Sequence, residues 1–483
     1  MQTGRADPSV PAPTRERAGV ERLSGLDAFF LYIETPTMHT HVALTAVLDT
    51  STMPGGYSFE AMRRHIAERV HLVRPFRQKV VEVPLRVHHP VWVDDTDFDI
   101  DRHLRRIAVP APGGLRELSH LVGHIASVQL ERNKPLWELW IIEGLAEGRV
   151  AFVAKVHHSA MDGASAAELL PAFLDLEPEP TGRVEPPPFR PTAAPDDWEL
   201  LGASAIDRVR SLGSLPSLAR KTTQSITRIR RGRRETHNAA GTPLTAPTTV
   251  FNGPITAQRS VAFARVSLPQ VKEIKSAFGA TVNDVLMTTC AMAMRRYLEG
   301  RKDLPDTPLV TACPVSVRTE DQRGEQNNRL SVMFTKLHTD VADPVGCLLA
   351  TQRTASAAKS EHELIGPETL GAWAELADPM ASRVASTLYS NANLAAHHRP
   401  ALSFILSNIP GPPFPVYLGG AEMERAYPMG PVLEGAGLNV TMLSYRESVD
   451  FGFLGATELL PDIWDLADAV PVAFDELHDA ALG

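Results

Sequence analysis

Cysteine is scarce in this chain. There are three in 483 residues, Cys290, Cys313 and Cys347, and no C-x-x-C among them. That spacing gives neither a disulfide framework nor a cysteine zinc site, and it fits a reducing compartment. Positive charge is also short: 48 Lys and Arg against 57 Asp and Glu leave a net charge of -9. A general nucleic-acid binder ordinarily shows the opposite balance, so no nucleic-acid partner is expected. Only 9 of the 48 basic residues are lysine, which reflects coding composition rather than chemistry. No run approaches the roughly 18 consecutive apolar residues of a spanning helix. The first residues, "MQTGRADPSVPAPTRERAGVERLSG", lack the apolar segment of a secretory signal, so a cytoplasmic protein is expected. There is no G-x-S-x-G and no H-E-x-x-H. The first absence removes the signature of a serine nucleophile and the second that of a helical zinc site, and no metal is expected.

What is present is an ordinary globular composition, 43% hydrophobic and 22% charged, in a chain long enough for two domains or more. Residues 1–22 are polar and Pro-rich and read as a flexible tail. Residues 23–180 read as a first α/β domain. Within it "THVALTAVLD" (40–49) and "RVHHPVWVDD" (86–95) are expected strands, and "SFEAMRRHIAERVHLV" (58–73) and "LRELSHLVGHIASVQLE" (115–131) expected helices. "LWELWIIEGL" and "GRVAFVAKVHH" look like paired strands turning at Glu147 and Gly148, and 163–176 like a helix. Residues 181–249 form a proline-rich and then basic linker. Its stretch 204–234 interleaves arginines with Leu212, Leu215, Leu218, Ile226 and Ile229, and Gly213, Pro216 and Gly232 are expected to interrupt any single helix. Residues 250–483 return to strand and helix patterning, a second α/β domain.

One stretch raises a chemical question. "AFVAKVHHSAMDG" (151–163) ends an apolar run with two histidines and an Asp-Gly. In a strand Phe152, Ala154, Val156 and His158 share one face, and Val153, Lys155 and His157 the other. The two imidazoles therefore cannot serve one site as equivalents. His158 stands four residues before Asp162, within reach if the chain turns, and Gly163 permits a close or left-handed backbone. An imidazole titrating near 6.5 suits general-base work, with a carboxylate fixing its tautomer or the loop. Without a nucleophile signature, direct attack by a substrate hydroxyl is favoured over a covalent acyl-enzyme. Other readings stand beside this one. His-His recurs at 88–89 and 397–398, Asp162 suits a helix N-cap, and His and Asp together could gather a metal.

Several separated stretches, taken in order, carry a resemblance. "HHSAMDG" (157–163) resembles the HHxxxDG signature of CoA-dependent acyltransferases and peptide-synthetase condensation domains. "LSGLDAFFLYIE" (23–34), "FDIDRHLRRIAVPAPGG" (98–114), "NKPLWELWIIEGL" (133–145), "FNGPITAQRSVAF" (251–263), "TVNDVLMTTCAMAMRRYL" (281–298) and "LSNIPGP" (406–412) together resemble the bacterial wax ester synthase/acyl-CoA:diacylglycerol acyltransferase family. The resemblance implies an α/β fold of two sandwich-like domains joined by a long crossover, with the histidine in a channel between them. It implies acyl transfer from acyl-CoA to diacylglycerol or a long-chain alcohol, with acyl-CoA as substrate and no cofactor. It assigns His158 as general base and Asp162 as orienting residue, and leaves His157 behind them. Pro135, Leu136 and Trp137 match the family's PLW element, where Pro stops a helix and Trp packs, so a structural role is expected. Asn283 and Asp284 match its ND element. Asp284 reads as a helix cap and Asn283 as a candidate oxyanion donor. "VDFGFLG" (449–455) is faintly like the DFGWG element of plant-type relatives, and no catalytic role is carried onto it. The residues that bind substrate are not legible.

Water-insoluble substrates make attachment of the basic 204–234 stretch to an anionic inner membrane or lipid droplet an expectation. Two other functions fit the same residues: condensation of carrier-bound thioesters, and a non-catalytic lipid-droplet protein. CoA release on mixing acyl-CoA with diacylglycerol separates the three.

Overall fold

The computed structural model describes residues 20–161, 172–179, 189–213, 215–236, 240–316, 330–365 and 369–483. The first half runs β1 (Val20–Arg22), α1 (Gly25–Ile33), β2 (His41–Asp49), α2 (Phe59–Arg69), β3 (Gln78–Val81), β4 (Val91–Asp94), β5 (Leu104–Ala108), α3 (Leu115–Ala126), β6 (Trp137–Glu143) and β7 (Val150–His157). Two helices follow, α4 (Asp197–Gly213) and α5 (Leu215–Thr236). The second half runs β8 (Arg259–Ser267), α6 (Leu268–Phe278), α7 (Val282–Gly300), β9 (Leu309–Ser316), β10 (Leu330–Leu337), α8 (Pro344–Ile365), α9 (Thr369–Ala374) and α10 (Pro379–Asn391). It closes with β11 (Phe404–Pro410), β12 (Tyr417–Leu418), β13 (Ala421–Met429), β14 (Leu438–Tyr445), β15 (Ser448–Ala456) and α11 (Ile463–Leu482).

Two large sheets organise the molecule, in strand orders β12-β13-β2-β7-β6-β5 and β10-β9-β11-β14-β15-β8, beside a small sheet β1-β4-β3. The β6–β7 hairpin forms as its alternating pattern predicts. It turns through Glu147 and Gly148, both in the left-handed region at φ 59° and 70°. Because β7 is central, both of its faces are buried, and they serve different cores. Val150, Phe152 and Val156 pack with Met62, Ile66, Trp137 and Leu139. Ala151 and Val153 pack with Ile142, Phe263 and Tyr427, which lie where the two sheets meet.

That meeting depends on small residues. A Cβ on Gly452 of β15 would stand 2.0 Å from the Pro428 carbonyl oxygen of β13. A Cβ on Gly123 of α3 would stand 2.7 Å from the Arg259 carbonyl oxygen of β8. Both are distances no side chain tolerates, so glycine permits the contacts. Asp450, fully buried on β15, clamps the same seam. It accepts from Arg265 Nε at 2.5 Å and from the Ala426 backbone N–H at 2.9 Å. This is a structural use of the "VDFGFLG" stretch. A second core lies around α7 and α11 on the other sheet.

Several expectations need amendment. Strands β12 and β13 come from the second half of the chain but complete the first sheet, β13 pairing with β2. Periodicity shows that a stretch is a strand, not which sheet receives it. Of 86–95 only Val91–Asp94 is strand; His88 and His89 precede it, and His89 Nδ1 lies 2.8 Å from the Tyr32 hydroxyl. Within 204–234 the described residues form α4 and α5 on either side of residue 214, which lies outside them, and Pro216 sits in the first turn of α5, where a missing N–H costs little. Gly232 lies inside α5 and does not interrupt it. The helix expected over 163–176 falls mostly outside the described residues.

Candidate active site

The end of β7 is held from both sides. His157 donates its backbone N–H to the Leu136 carbonyl of the neighbouring strand approach at 2.9 Å. His158 donates its N–H to the Thr40 carbonyl at 2.8 Å. The chain then turns, with Ala160 N–H returning to the His157 carbonyl at 2.9 Å. Two adjacent strands thus fix the position of both imidazoles before any side-chain contact is made.

The side chains then divide the labour. The backbone N–H of Ser159 donates to His157 Nδ1 at 3.0 Å, and the Ser159 hydroxyl lies 2.7 Å from the same nitrogen. The Thr40 hydroxyl gives its hydrogen to the Phe30 carbonyl at 3.0 Å, so it accepts from His157 Nε2 at 2.9 Å. A backbone N–H has no other role than donor, so Nδ1 carries no proton and Nε2 carries one. Both ring nitrogens of His157 are committed to holding the turn. The His158 ring stacks on Phe30 with centroids 3.9 Å apart and planes 12° from parallel, and it is buried. Phe30 comes from α1, so the ring is braced by a helix whose start is capped by Ser24, which accepts from Asp27 N–H at 3.1 Å. Asp162 and Gly163 lie outside the described residues.

Glu34 is a member of the site that sequence reasoning left without a role. It ends the quoted stretch "LSGLDAFFLYIE" and its side chain is 3% exposed. Arg132 Nη2 pairs with it at 2.6 Å, and its oxygens lie 3.5 Å from His157 Nε2 and 3.4 Å from His41 Nε2. Burial alone would raise its carboxyl, but the adjoining His157 and His41 rings and the Arg132 guanidinium outweigh that and hold it well below the ordinary carboxylate range. His41, opposite His157 in the β2–β7 register, is pushed down to about 3, chiefly by burial. No local signal marks Glu34, because its partners are seven, 98 and 123 residues away.

The PLW element packs into the core beside the end of β7. Leu136 supplies the carbonyl that holds His157. Trp137, 1% exposed, stacks between His103 at 4.3 Å and Phe76 at 4.6 Å, and its Nε1 donates to the Phe76 carbonyl at 2.9 Å. Pro135 is buried at the entry to β6. In the ND element Asp284 completes a capping box: it accepts from Thr281 N–H at 2.8 Å, and its own N–H donates to Thr281 Oγ1 at 3.1 Å. Asn283 meets Met287 and, at 3.5 Å, Asn408 of the "LSNIPGP" stretch. The described contacts bring it to β11 and not to His158, so they lend no support to an oxyanion role.

Cys290, Cys313 and Cys347 are buried, with thiols pushed up to about 12 by burial, which makes them poor nucleophiles. Among the described residues no group of three or more His, Cys, Asp or Glu converges as a metal site would.

The chain as a whole is similar to known proteins. Residues 23–286 match the wax ester synthase/diacylglycerol acyltransferase catalytic domain, and residues 326–478 match the WS/DGAT C-terminal domain. The chain belongs to the wax ester synthase/diacylglycerol acyltransferase family. A Mycobacterium tuberculosis protein named "Putative diacyglycerol O-acyltransferase" is 38% identical over 469 residues, covering 96% of this chain and 91% of that one. Among solved structures, the wax ester synthase/diacylglycerol acyltransferase from Marinobacter aquaeolei VT8 is similar at a TM-score of 0.67 and 27% identity, covering 95% of this chain and 99% of that one. The starter condensation domain of rhizomide synthetase RzmA, crystallised with C8-CoA and Leu-SNAC, is similar at a TM-score of 0.56 and 12% identity, over 96% of this chain and 95% of that one. The last likeness is one of fold. This is an acyltransferase family, and its fold is the two-domain mixed α/β architecture that the resemblance implied.

Proposed function

We propose that the protein transfers a fatty acyl group from acyl-CoA to the hydroxyl of diacylglycerol or a long-chain alcohol, with His158 as general base. The observation that supports this is the placement of His158: its ring is braced on Phe30 at the buried end of β7, while His157 is engaged through both nitrogens in holding the turn. The hydroxyl oxygen attacks the thioester carbonyl while His158 takes its proton. As the C–S bond breaks, the imidazolium returns that proton to the CoA sulfur, so ester and free CoA thiol are the products. Placing the base at a buried strand end shields the thioester from hydrolysis. Asp162 orients the loop or ring. The acceptor lipid is drawn from a surface to which the enzyme attaches peripherally, helped by the basic stretch of α5; no helix among the described residues is long and apolar enough to cross a membrane.

Direct transfer predicts sequential kinetics. Varying palmitoyl-CoA and dioleoylglycerol together should give intersecting double-reciprocal lines, and palmitoyl-CoA alone should leave no acyl adduct in the mass spectrum. A trapped acylated residue that goes on to transfer its acyl group would overturn the direct route. Failure to release CoA thiol with any lipid hydroxyl would overturn the activity.

A further inference from the structure

The stretch "TPTMHTHV" (35–42) leads from α1 into β2 and carries three threonines. Its start is stiffened by its own bonds: the Thr35 N–H donates to the Met38 carbonyl at 3.1 Å, and the Met38 N–H donates to Thr35 Oγ1 at 3.0 Å. Thr40 stands immediately before β2 and is fully buried.

Thr40 bonds to three different parts of the site. Its hydroxyl donates at 3.0 Å to the carbonyl of Phe30, in the last turn of α1. The same oxygen accepts from His157 Nε2 at 2.9 Å. Its carbonyl accepts from the His158 N–H at 2.8 Å. The Phe30 ring in turn lies on the His158 ring. These contacts close a circuit: Thr40 hydroxyl to Phe30 backbone, Phe30 ring to His158 ring, His158 backbone to Thr40 carbonyl. The backbone bond fixes where the His158 main chain stands, but it leaves the side-chain torsions open. The stack closes them, provided that α1 holds the Phe30 ring in register, and the Thr40 hydroxyl ties that turn of α1 to the end of β7.

The hydroxyl is also polarised for this task. The Ser159 N–H donates to His157 Nδ1, His157 Nε2–H donates to Thr40 Oγ1, and the Thr40 O–H donates to Phe30. Donors and acceptors run in one direction along this buried chain, so each bond strengthens the next. A methyl in place of the hydroxyl breaks the chain in its middle. A serine keeps it.

We propose that Thr40 is a positioning residue for the reaction: it acts through Phe30, whose ring it holds against His158 so that the base meets the attacking hydroxyl in one orientation. The proposal rests on the reading of His158 as general base and deepens it. A misplacement of about 1 Å at a reacting group costs roughly 10²-fold in rate.

The test is steady-state CoA release by the full chain from palmitoyl-CoA and dioleoylglycerol. The variants are Thr40→Val, Thr40→Ser, Phe30→Leu and the double Thr40→Val/Phe30→Leu, each checked first for a cooperative thermal transition. Thr40→Val should lower kcat about 10- to 100-fold with KM for palmitoyl-CoA nearly unchanged. Thr40→Ser should recover most of that loss. Phe30→Leu keeps the Thr40 bonds but loses the stack, and its kcat should fall by a similar factor. The double variant should be no slower than Thr40→Val alone, because both changes remove one device. A Thr40→Val enzyme with a lower thermal transition and parental kcat would make the residue structural only and overturn the proposal. So would a Thr40→Ser enzyme as slow as Thr40→Val, or losses that multiply in the double variant. Should Thr40→Val not fold, Thr40→Ala, which sets no methyl against the two polar groups, is read in the same way. His158→Ala is assayed alongside. A parental rate there means that the reading of the base has failed; a slow His158→Ala beside parental Thr40→Val and Phe30→Leu means that only the positioning has failed.

Discussion

Replacing each histidine of the pair by alanine should damage the protein in opposite ways. In His157→Ala the Ser159 N–H and the Thr40 hydroxyl lose their buried partner, and a ring-sized cavity opens beside Glu34. An unsatisfied buried donor costs about 1–3 kcal/mol. With the cavity added, a loss of roughly 3–5 kcal/mol of stability is expected, in line with other buried-ring truncations. His157→Asn keeps an acceptor near the Nδ1 position and should recover about 1 kcal/mol of this. In His158→Ala the strand end stays pinned, because the bond to Thr40 is made by the backbone. The stacking on Phe30 is lost, worth about 0.5–1.5 kcal/mol. Turnover should fall about 10²- to 10⁴-fold, the usual effect of removing a general base. Urea unfolding followed by fluorescence reads the first effect; CoA release from palmitoyl-CoA and dioleoylglycerol reads the second. A stable, inactive His157→Ala beside a His158→Ala enzyme of near-parental rate would reverse the assignment and refute the tautomer argument.

Two further outcomes follow from the buried groups. His41, His88 and His89 are pushed down to about 3, 3 and 4, chiefly by burial, so the unfolded chain takes up their protons first and stability falls as the pH drops below about 6.5. At pH 5.5 each should cost about 1.4 kcal/mol, so unfolding at pH 7.5 and 5.5 should differ by roughly 4 kcal/mol, and a flat profile would show these rings accept protons when folded. Asp284→Ala removes a cap and should lower stability by about 1 kcal/mol with kcat unchanged; a large loss of kcat at unchanged stability would give the ND element a chemical role.

The sequence alone determined a good deal here, because its signals are local. Alternation along 150–157 was enough to place His157 and His158 on opposite faces, and Asp284 at the head of an apolar run was enough to suggest a cap, although the N-cap itself is Thr281. The ordered motifs from 23 onward were enough for the family, since a spacing of unrelated short stretches over most of a chain does not arise by composition. What only the tertiary structure decided is long-range pairing. Glu34, Arg132, His41 and His157 are scattered over more than a hundred residues, and no periodicity links them. The commitment of His157 depends on Thr40, a residue just before another strand, whose hydroxyl is itself spent on Phe30. Strands β12 and β13 joined the sheet of the other half because the Gly452 and Asp450 seam brings β13 within reach of β2. The exposure of Met380, Val384 and Leu388 was hidden for the same reason. Apolar residues at helical spacing ordinarily mark a buried face, and only the inward contacts of Arg383 and Ser390 turn this one out to solvent.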